Sequence, residues 1–298
     1  MNNILNINSL TKTYGRITAV NNLDLDINQG DVYGLLGPNG SGKTTTFGIL
    51  LDIVKPDSGS FSWFGEAPSH NSRKRIGATL EHPIFYPYLS AVKNLRIVAR
   101  IKEKPFDDFD DILKMVDLYE RKDYKFRTYS MGMKQRLAIA SALIGKPEVL
   151  ILDEPTNGLD PQGIAEIRNL VIRIANEGVT ILVASHLLDE VQKMCNQVAV
   201  LKQGKKLFSG PVGEVFSVSD TVEMASENLE ILLVAISGFK GISSIRKEGE
   251  LIVAHVKEGI NPGDISEFLV EKGIVLSHLA LRKKSLEQQF LELLQEAK

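Results

Sequence analysis

Between residues 31 and 200 the chain passes repeatedly from short apolar runs to longer stretches with helical spacing. EVLILD (148–153) and TILVAS (180–185) contain continuous apolar runs of strand length, as in strands buried on both faces of a parallel sheet. DVYGLLG (31–37) is a third short apolar strand, and it runs into glycine. LDLDI (23–27) alternates, as a half-exposed strand does. Helical patterns follow in TTTFGILLDIV (44–54), PQGIAEIRNLVIRIANEG (161–178) and LLDEVQKMC (187–195). This alternation predicts an α/β core with its active groups at the C-terminal ends of the strands. Residues from about 88 to 145 read as mostly helical, an inserted subdomain within that core. VAVLKQGKKLFSG (198–210) predicts a hairpin turning at Gln203–Gly204.

Beyond about residue 215 the pattern changes. TVEMAS (221–226) reads as a strand, NLEILLVAISGF (228–239) as a helix, and GISSIRKEG with ELIVAHVK (241–257) as a hairpin. PGDISEFLVEKG (262–273) is a second helix and IVLSHLALR (274–282) a further strand. The order β-α-β-β-α-β predicts a small ferredoxin-like α+β domain at 215–298, after a larger domain at 1–214. The final SLEQQFLELLQEAK opens with Ser285 and Gln288 at capping-box spacing and continues as an amphipathic helix.

Composition narrows the class. The chain has 298 residues, 43% hydrophobic and 24% charged, enough for two globular domains. With 35 basic against 37 acidic residues there is no field that would attract nucleic acid, and none is expected as a partner. The single cysteine, Cys195, has no internal disulfide partner and is expected to be a buried thiol in a reducing compartment. The N-terminal MNNILNINSL lacks the regions of a signal peptide, and the longest apolar runs fall short of a bilayer span. A soluble, cytoplasmic chain is expected.

The chemistry starts at GPNGSGKTT (37–45), which follows a strand, precedes a helix and fits G-x-x-x-x-G-K-S/T. Its glycines let backbone N–H groups curl around phosphate oxygens. Lys43 supplies a point charge for the β- and γ-phosphates, and Thr44 a hydroxyl for Mg2+. EVLILD delivers Asp153 to the strand end, where it can hold Mg2+ through water. Glu154, one residue on, can polarise a water for in-line attack on the γ-phosphate. His186 ends the next apolar strand and is a candidate γ-phosphate contact or orienter of the attacking water. A second anion site appears in YSMGMKQRLAIASAL (129–143), where Ser130 N-caps a helix with Gly132 in its first turn.

Taken in order, these motifs resemble the ATP-binding subunit of an ABC transporter, over about residues 4–215. Tyr14, in LTKTYG, matches the aromatic on which adenine stacks. Residues Gly37, Pro38, Asn39, Gly40, Ser41, Gly42, Lys43, Thr44 and Thr45 match the phosphate loop, NGLDP (157–161) the D-loop and His186 the switch histidine. YSMGMKQ matches the signature motif, usually Leu-Ser-Gly-Gly-Gln. The resemblance implies that two such domains pair head to tail, so that Ser130 and Gly132 face the γ-phosphate held by a partner chain. It implies ATP and Mg2+ as ligands and ATP hydrolysis as the reaction. Two departures stand out. Met131 and Met133 replace a glycine and the glutamine of the signature, and Glu81 stands where the Q-loop glutamine, a metal contact, is expected.

Glu81 resembles the variant of bacitracin-resistance-like exporters, and SLEQQFLEL (285–293) resembles the ending of ABC-2-type exporter ATPases such as the daunorubicin-resistance-like group. HPIFYPYLSAVKNL (82–95) corresponds to the groove that receives a membrane partner's coupling helix. The implied role is a motor subunit at the cytoplasmic face of the cell membrane, working as a homodimer or heterodimer with ABC-2-type transmembrane permease subunits. The alternative is a soluble ABC ATPase acting on ribosomes or DNA. Against it, the chain holds one cassette, and no sustained heptad run occurs between 46 and 129.

Overall fold

A computed structural model describes residues 3–80, 84–104, 109–215, 221–257 and 260–282. The chain divides into two compact units, with the division after Val215. Glu81 and the 285–298 segment lie outside the described residues.

The first unit opens with β1 (Asn3–Tyr14) and β2 (Ile17–Asn28), an antiparallel pair closed by a two-residue turn, since Tyr14 is partnered with Ile17. Then come β3 (Val32–Leu36), α1 (Lys43–Leu50), β4 (Ser58–Trp63), the short α2 (His70–Arg73) and β5 (Ile76–Thr79). The helical segment comprises α3 (Ala91–Ile101), α4 (Asp110–Met115), two single turns of 3-10 helix and α5 (Met131–Leu143). The chain returns through β6 (Val149–Asp153), α6 (Pro161–Asn176), β7 (Thr180–Ser185), α7 (Leu188–Met194), β8 (Gln197–Lys202), β9 (Lys205–Pro211) and the short α8 (Val212–Val215).

Two sheets result. One has the order β2-β1-β4 and is antiparallel; the other has the order β5-β6-β7-β3-β8-β9 and is parallel except for β9. Every residue of β3, β6 and β7 is buried, which explains their unbroken apolar runs. The inner face of β1–β2–β4 contributes Leu5, Ile7, Leu10, Leu23 and Trp63 to one core with Phe47, Ile49, Val149, Ile151 and Leu182. Burying each such side chain contributes roughly 1.5–3 kcal/mol. Trp63 is fully buried, and its indole N–H donates to the Leu50 carbonyl at 3.1 Å.

Helix α1 is shorter than its apolar pattern predicts. Asp52 takes the left-handed conformation (φ 62°), and the amides of Ile53 and Val54 both donate to Gly48 O. The last apolar residues of TTTFGILLDIV thus belong to a turn, which periodicity could not distinguish from another helical turn.

The second unit has β10 (Thr221–Ser226), α9 (Leu229–Ile236), β11 (Ile242–Glu248), β12 (Leu251–Val256), α10 (Pro262–Glu271) and β13 (Leu276–Arg282). Its antiparallel sheet has the order β11-β12-β10-β13, the ferredoxin-like arrangement. Val222, Met224, Ile252, Ala254 and Val256 pack against Leu232, Ile236, Ile265 and Leu269. Asn228 caps α9, and Asn261 with Asp264 forms a capping box on α10. Helix α9 stops at Ile236, short of Phe239, because Gly238 and Phe239 turn back onto the Ala235 and Ile236 carbonyls. Among the described residues no helix is long and apolar enough to cross a membrane.

Candidate functional site

The order β6-β7-β3 sets three strand ends side by side, with Leu36 opposite Ser185 and Asp153 opposite Ala184. Beyond them, the Gly37 amide donates to Ser185 O at 3.3 Å and the Glu154 amide to Ala184 O at 3.0 Å. Three predicted residues far apart in sequence therefore converge. The Lys43 ammonium lies 3.3 Å from Glu154 Oε1, and His186 Nδ1 lies 2.8 Å from Glu154 Oε2. Lys43 is only 5% exposed and also donates to the carbonyls of Gly37 (2.8 Å) and Pro38 (3.3 Å).

Glu154 holds a left-handed backbone (φ 49°), uncommon for a residue with a side chain. Such a conformation costs on the order of 1 kcal/mol and persists where the surroundings over-determine it. Here it places the carboxylate between Lys43 and His186. The spacing Asp-Glu after an apolar strand pointed to this residue, but not to its conformation.

The phosphate loop is braced from below by residues that sequence reasoning treated only as a hairpin. Gln203 (φ 48°) and Gly204 (φ 79°) form the turn between β8 and β9, a two-residue turn with both φ positive. The Gly204 amide donates to Ser41 O at 3.0 Å, and Gly204 O accepts from the Asn21 amide at 2.8 Å. Gly42, at φ 105°, lies so close to β2 that a Cβ there would sit 2.2 Å from Ala19 O. The loop is thus fixed between β2 and the β8–β9 turn. The glycine after Gln203 was the available signal, but a turn signal says nothing about what the turn touches.

The loop suits a polyphosphate. Ser41 is buried, and its hydroxyl has no hydrogen-bond partner among the described residues, while Asn39, Gly40 and Thr44 are exposed. Thr45 is half-buried at the start of α1. Asp153 is 2% exposed at the end of β6. Thr44 and Asp153 offer the hard oxygen donors that Mg2+ prefers. Among the described residues no group of three or more His, Cys, Asp or Glu side chains forms a cage, and a magnesium–nucleotide site needs none, because water and phosphate supply most ligands.

Tyr14 lies at the end of β1 and is 49% exposed. The signature residues open helix α5. The Met133 amide donates to the Ser130 hydroxyl at 3.3 Å, so Ser130 is the N-cap of α5 as expected. Ser130 is exposed, and a Cβ on Gly132 would meet nothing within 4 Å. Among the described residues neither forms a hydrogen bond to 37–45. At the other end of α5 the Lys102 ammonium donates to the carbonyls of Ser141 (2.9 Å), Ala142 (3.1 Å) and Ile144 (3.4 Å). Burial lowers the Lys102 pKa to about 8. The Tyr129 hydroxyl, its pKa raised by burial to about 12, donates to Arg121 O and secures the residue before Ser130.

The aromatic segment ahead of α3 is organised by Asn94, which is buried. It accepts from the Tyr86 amide at 2.9 Å and donates to the carbonyls of Tyr86, Leu89 and Ser90. Phe85 packs edge-on against Phe126, while Ile84, Tyr86 and Tyr88 are exposed.

Residues 20–157 match the protein family described as ABC transporter. The bacitracin transport ATP-binding protein BcrA of Bacillus licheniformis is 36% identical over 305 residues, spanning 99% of this chain and 98% of that protein. Among solved structures, cbiO1 of Clostridium perfringens, part of the ABC transporter complex cbiONQ, is 33% identical with a TM-score of 0.67, covering 73% of this chain and 92% of that one. The dimeric bacterial ABC transporter cassette MJ0796 is 26% identical with a TM-score of 0.63, covering 70% and 99%. A relative aligned from end to end and named for transport leaves the ribosome or DNA alternative without support. The phosphate loop, the strand-end carboxylates and this end-to-end likeness lead to one conclusion: the chain belongs to the ATP-binding proteins of ABC transporters, the subunits that hydrolyse ATP to energise transport through separate membrane subunits.

Proposed function

We propose that this chain powers an exporter of peptide antibiotics, with Lys43, Glu154 and His186 carrying ATP hydrolysis. The observation that carries the site assignment is the convergence of these three residues on the strand ends, with Glu154 held at positive φ between the other two. In the reaction Lys43 exchanges Glu154 for the β- and γ-phosphates. Glu154, released, orients and deprotonates the attacking water, and His186 holds the γ-phosphate and the carboxylate in register. Thr44 and Asp153, with Glu81 contributing from the Q-loop position, would hold Mg2+. Bound there, the ion would supply neutralising charge to the phosphate oxygens.

Tyr14 stacks the adenine. Ser130 and Gly132 complete the γ-phosphate site of a second copy, which fits the exposure of Ser130 and the open space beside Gly132 at the N-terminus of α5. A helix N-terminus favours a nearby anion by about 0.3–2 kcal/mol. The chain then binds ABC-2-type permease subunits at the cytoplasmic face, with Ile84, Tyr86 and Tyr88 in the docking groove. The end-to-end likeness to a bacitracin transport protein favours peptide antibiotics as cargo. Residues 215–298 form an accessory domain.

The test is Glu154→Gln. ATP binding is retained, turnover falls by about 10²-fold or more, and a nucleotide-bound dimer accumulates. Turnover at the unaltered rate overturns the assignment of Glu154.

A further inference from the structure

Tyr14 occupies an awkward place for a recognition residue. It ends β1 at the tip of the β1–β2 hairpin, followed at once by Gly15 at φ 59°. The β1–β4 ladder reaches only as far as Thr11 opposite Ser58, so residues 12–14 extend past the last rung on that side. The register with β2 also shifts on both sides of Lys12. A hairpin tip with one open flank is a poor platform for a flat ligand unless something replaces the missing strand.

Asp57 replaces it. Its amide donates to Thr11 O at 2.8 Å, continuing the line of β4 by one residue. Its carboxylate then accepts from the Thr13 amide at 2.7 Å and from the Lys12 ammonium at 2.8 Å, across 45 residues of sequence. These two donors hold its carboxyl below the ordinary pKa, Lys12 contributing the larger part. Lys12 in turn lies 5.5 Å from the centre of the Tyr14 ring. Asp57 itself sits in the connection from α1, which carries the phosphate loop, to β4.

We propose that Asp57 is the positioning residue for adenine recognition: it serves as a side-chain rung that fixes the Tyr14 hairpin tip and ties it to the phosphate-loop helix. This rests on the reading of Tyr14 as the base-stacking ring. The carboxylate stands in for ladder groups, so it acts on the base end of the nucleotide and leaves the triphosphate end alone.

The experiment compares ATP with tripolyphosphate, which lacks the base, on the full-length chain. Tyr14→Ala, Asp57→Ala, Asp57→Asn and the Tyr14/Asp57 double alanine variant are measured alongside the unaltered protein. Asp57→Ala is expected to weaken ATP about fivefold and leave tripolyphosphate unchanged. Asp57→Asn, which keeps an acceptor for the Thr13 amide, is expected to recover part of that loss. The double variant is expected to bind ATP no more weakly than Tyr14→Ala alone, because Asp57 acts through that ring. Equal weakening of both ligands by Asp57→Ala makes the residue merely structural and overturns the proposal. So does an additive double variant, or unchanged ATP binding by Asp57→Ala while Tyr14→Ala weakens it. Unchanged ATP binding by Tyr14→Ala instead removes the base-stacking reading on which the proposal rests.

Discussion

Gly204→Ala tests whether the β8–β9 turn supports the phosphate loop. At φ 79° an alanine adopts the left-handed conformation at a cost of roughly 1–2 kcal/mol. Its Cβ would also lie 2.9 Å from the carbonyl oxygens of both Thr18 and Ala19, closer than Cβ atoms approach. Both obstacles are backbone atoms of β2, so the turn must move. That movement loads the Gly204 amide bond to Ser41 O and the Asn21 amide bond to Gly204 O, each worth about 1 kcal/mol. Together the loss is about 2–4 kcal/mol. Gly178→Ala is the control: its φ is 89°, but a Cβ there meets nothing within 4 Å, so only the conformational cost of roughly 1–2 kcal/mol applies.

Urea unfolding followed through Trp63, the single tryptophan and a buried one in this unit, compares the two variants. Because the strain falls on the loop, Gly204→Ala is also expected to weaken ATP, by about tenfold, while Gly178→Ala leaves it unchanged. Equal midpoints for the two variants, with ATP affinity intact in both, would refute the bracing role.

Three further expectations follow from other parts of the molecule. Gly132→Asp keeps the fold, since a side chain there meets open space, yet lowers turnover roughly tenfold or more by setting a charge against a partner's triphosphate; unchanged turnover and dimerisation would rule out the shared site. Asn94→Ala strips the hydrogen bonds that hold 86–90 and should lower unfolding free energy by about 2–4 kcal/mol, whereas a loss below 0.5 kcal/mol would show that those bonds carry little of the loop's stability. Arg75 pairs with Glu148 through two hydrogen bonds and holds that carboxyl below its ordinary 4.5. The folded state therefore binds the proton less readily, and the pair's stabilisation is present above pH 4.5 and lost as pH falls through the lower folded value. With both side chains over 40% exposed it amounts to about 1 kcal/mol at most, and the gap between the unaltered protein and Glu148→Gln should shrink from pH 7 to pH 3.

The parts legible in the sequence are those where a single physical demand acts on every residue of a segment. β3, β6 and β7 are buried throughout, so each is apolar throughout and stands out. The phosphate loop and its strand-end carboxylates were legible because their spacing is set by local backbone geometry. β1 was not, because register shifts and the Asn, Ser and Thr side chains on its outer side break the alternation. Nor was β4, with its three serines and a glycine. The supports of the site, Gly204 under the loop and Asp57 beside Tyr14, act on residues distant in the chain, and no local pattern encodes such a meeting. Glu154 was recognised by its position after Asp153, but neither its left-handed backbone nor its contacts with the distant Lys43 and His186 can be read from that position.

The Lys43–Glu154 pair has a consequence for which anions the loop admits. A buried ammonium without a counter-ion would draw in whatever small anion was at hand. Here the protein carries its own, so under the proposed assignment an arriving triphosphate would have to displace a carboxylate. A stray phosphate gains little from that swap, whereas a ligand anchored at several points can drive it to completion.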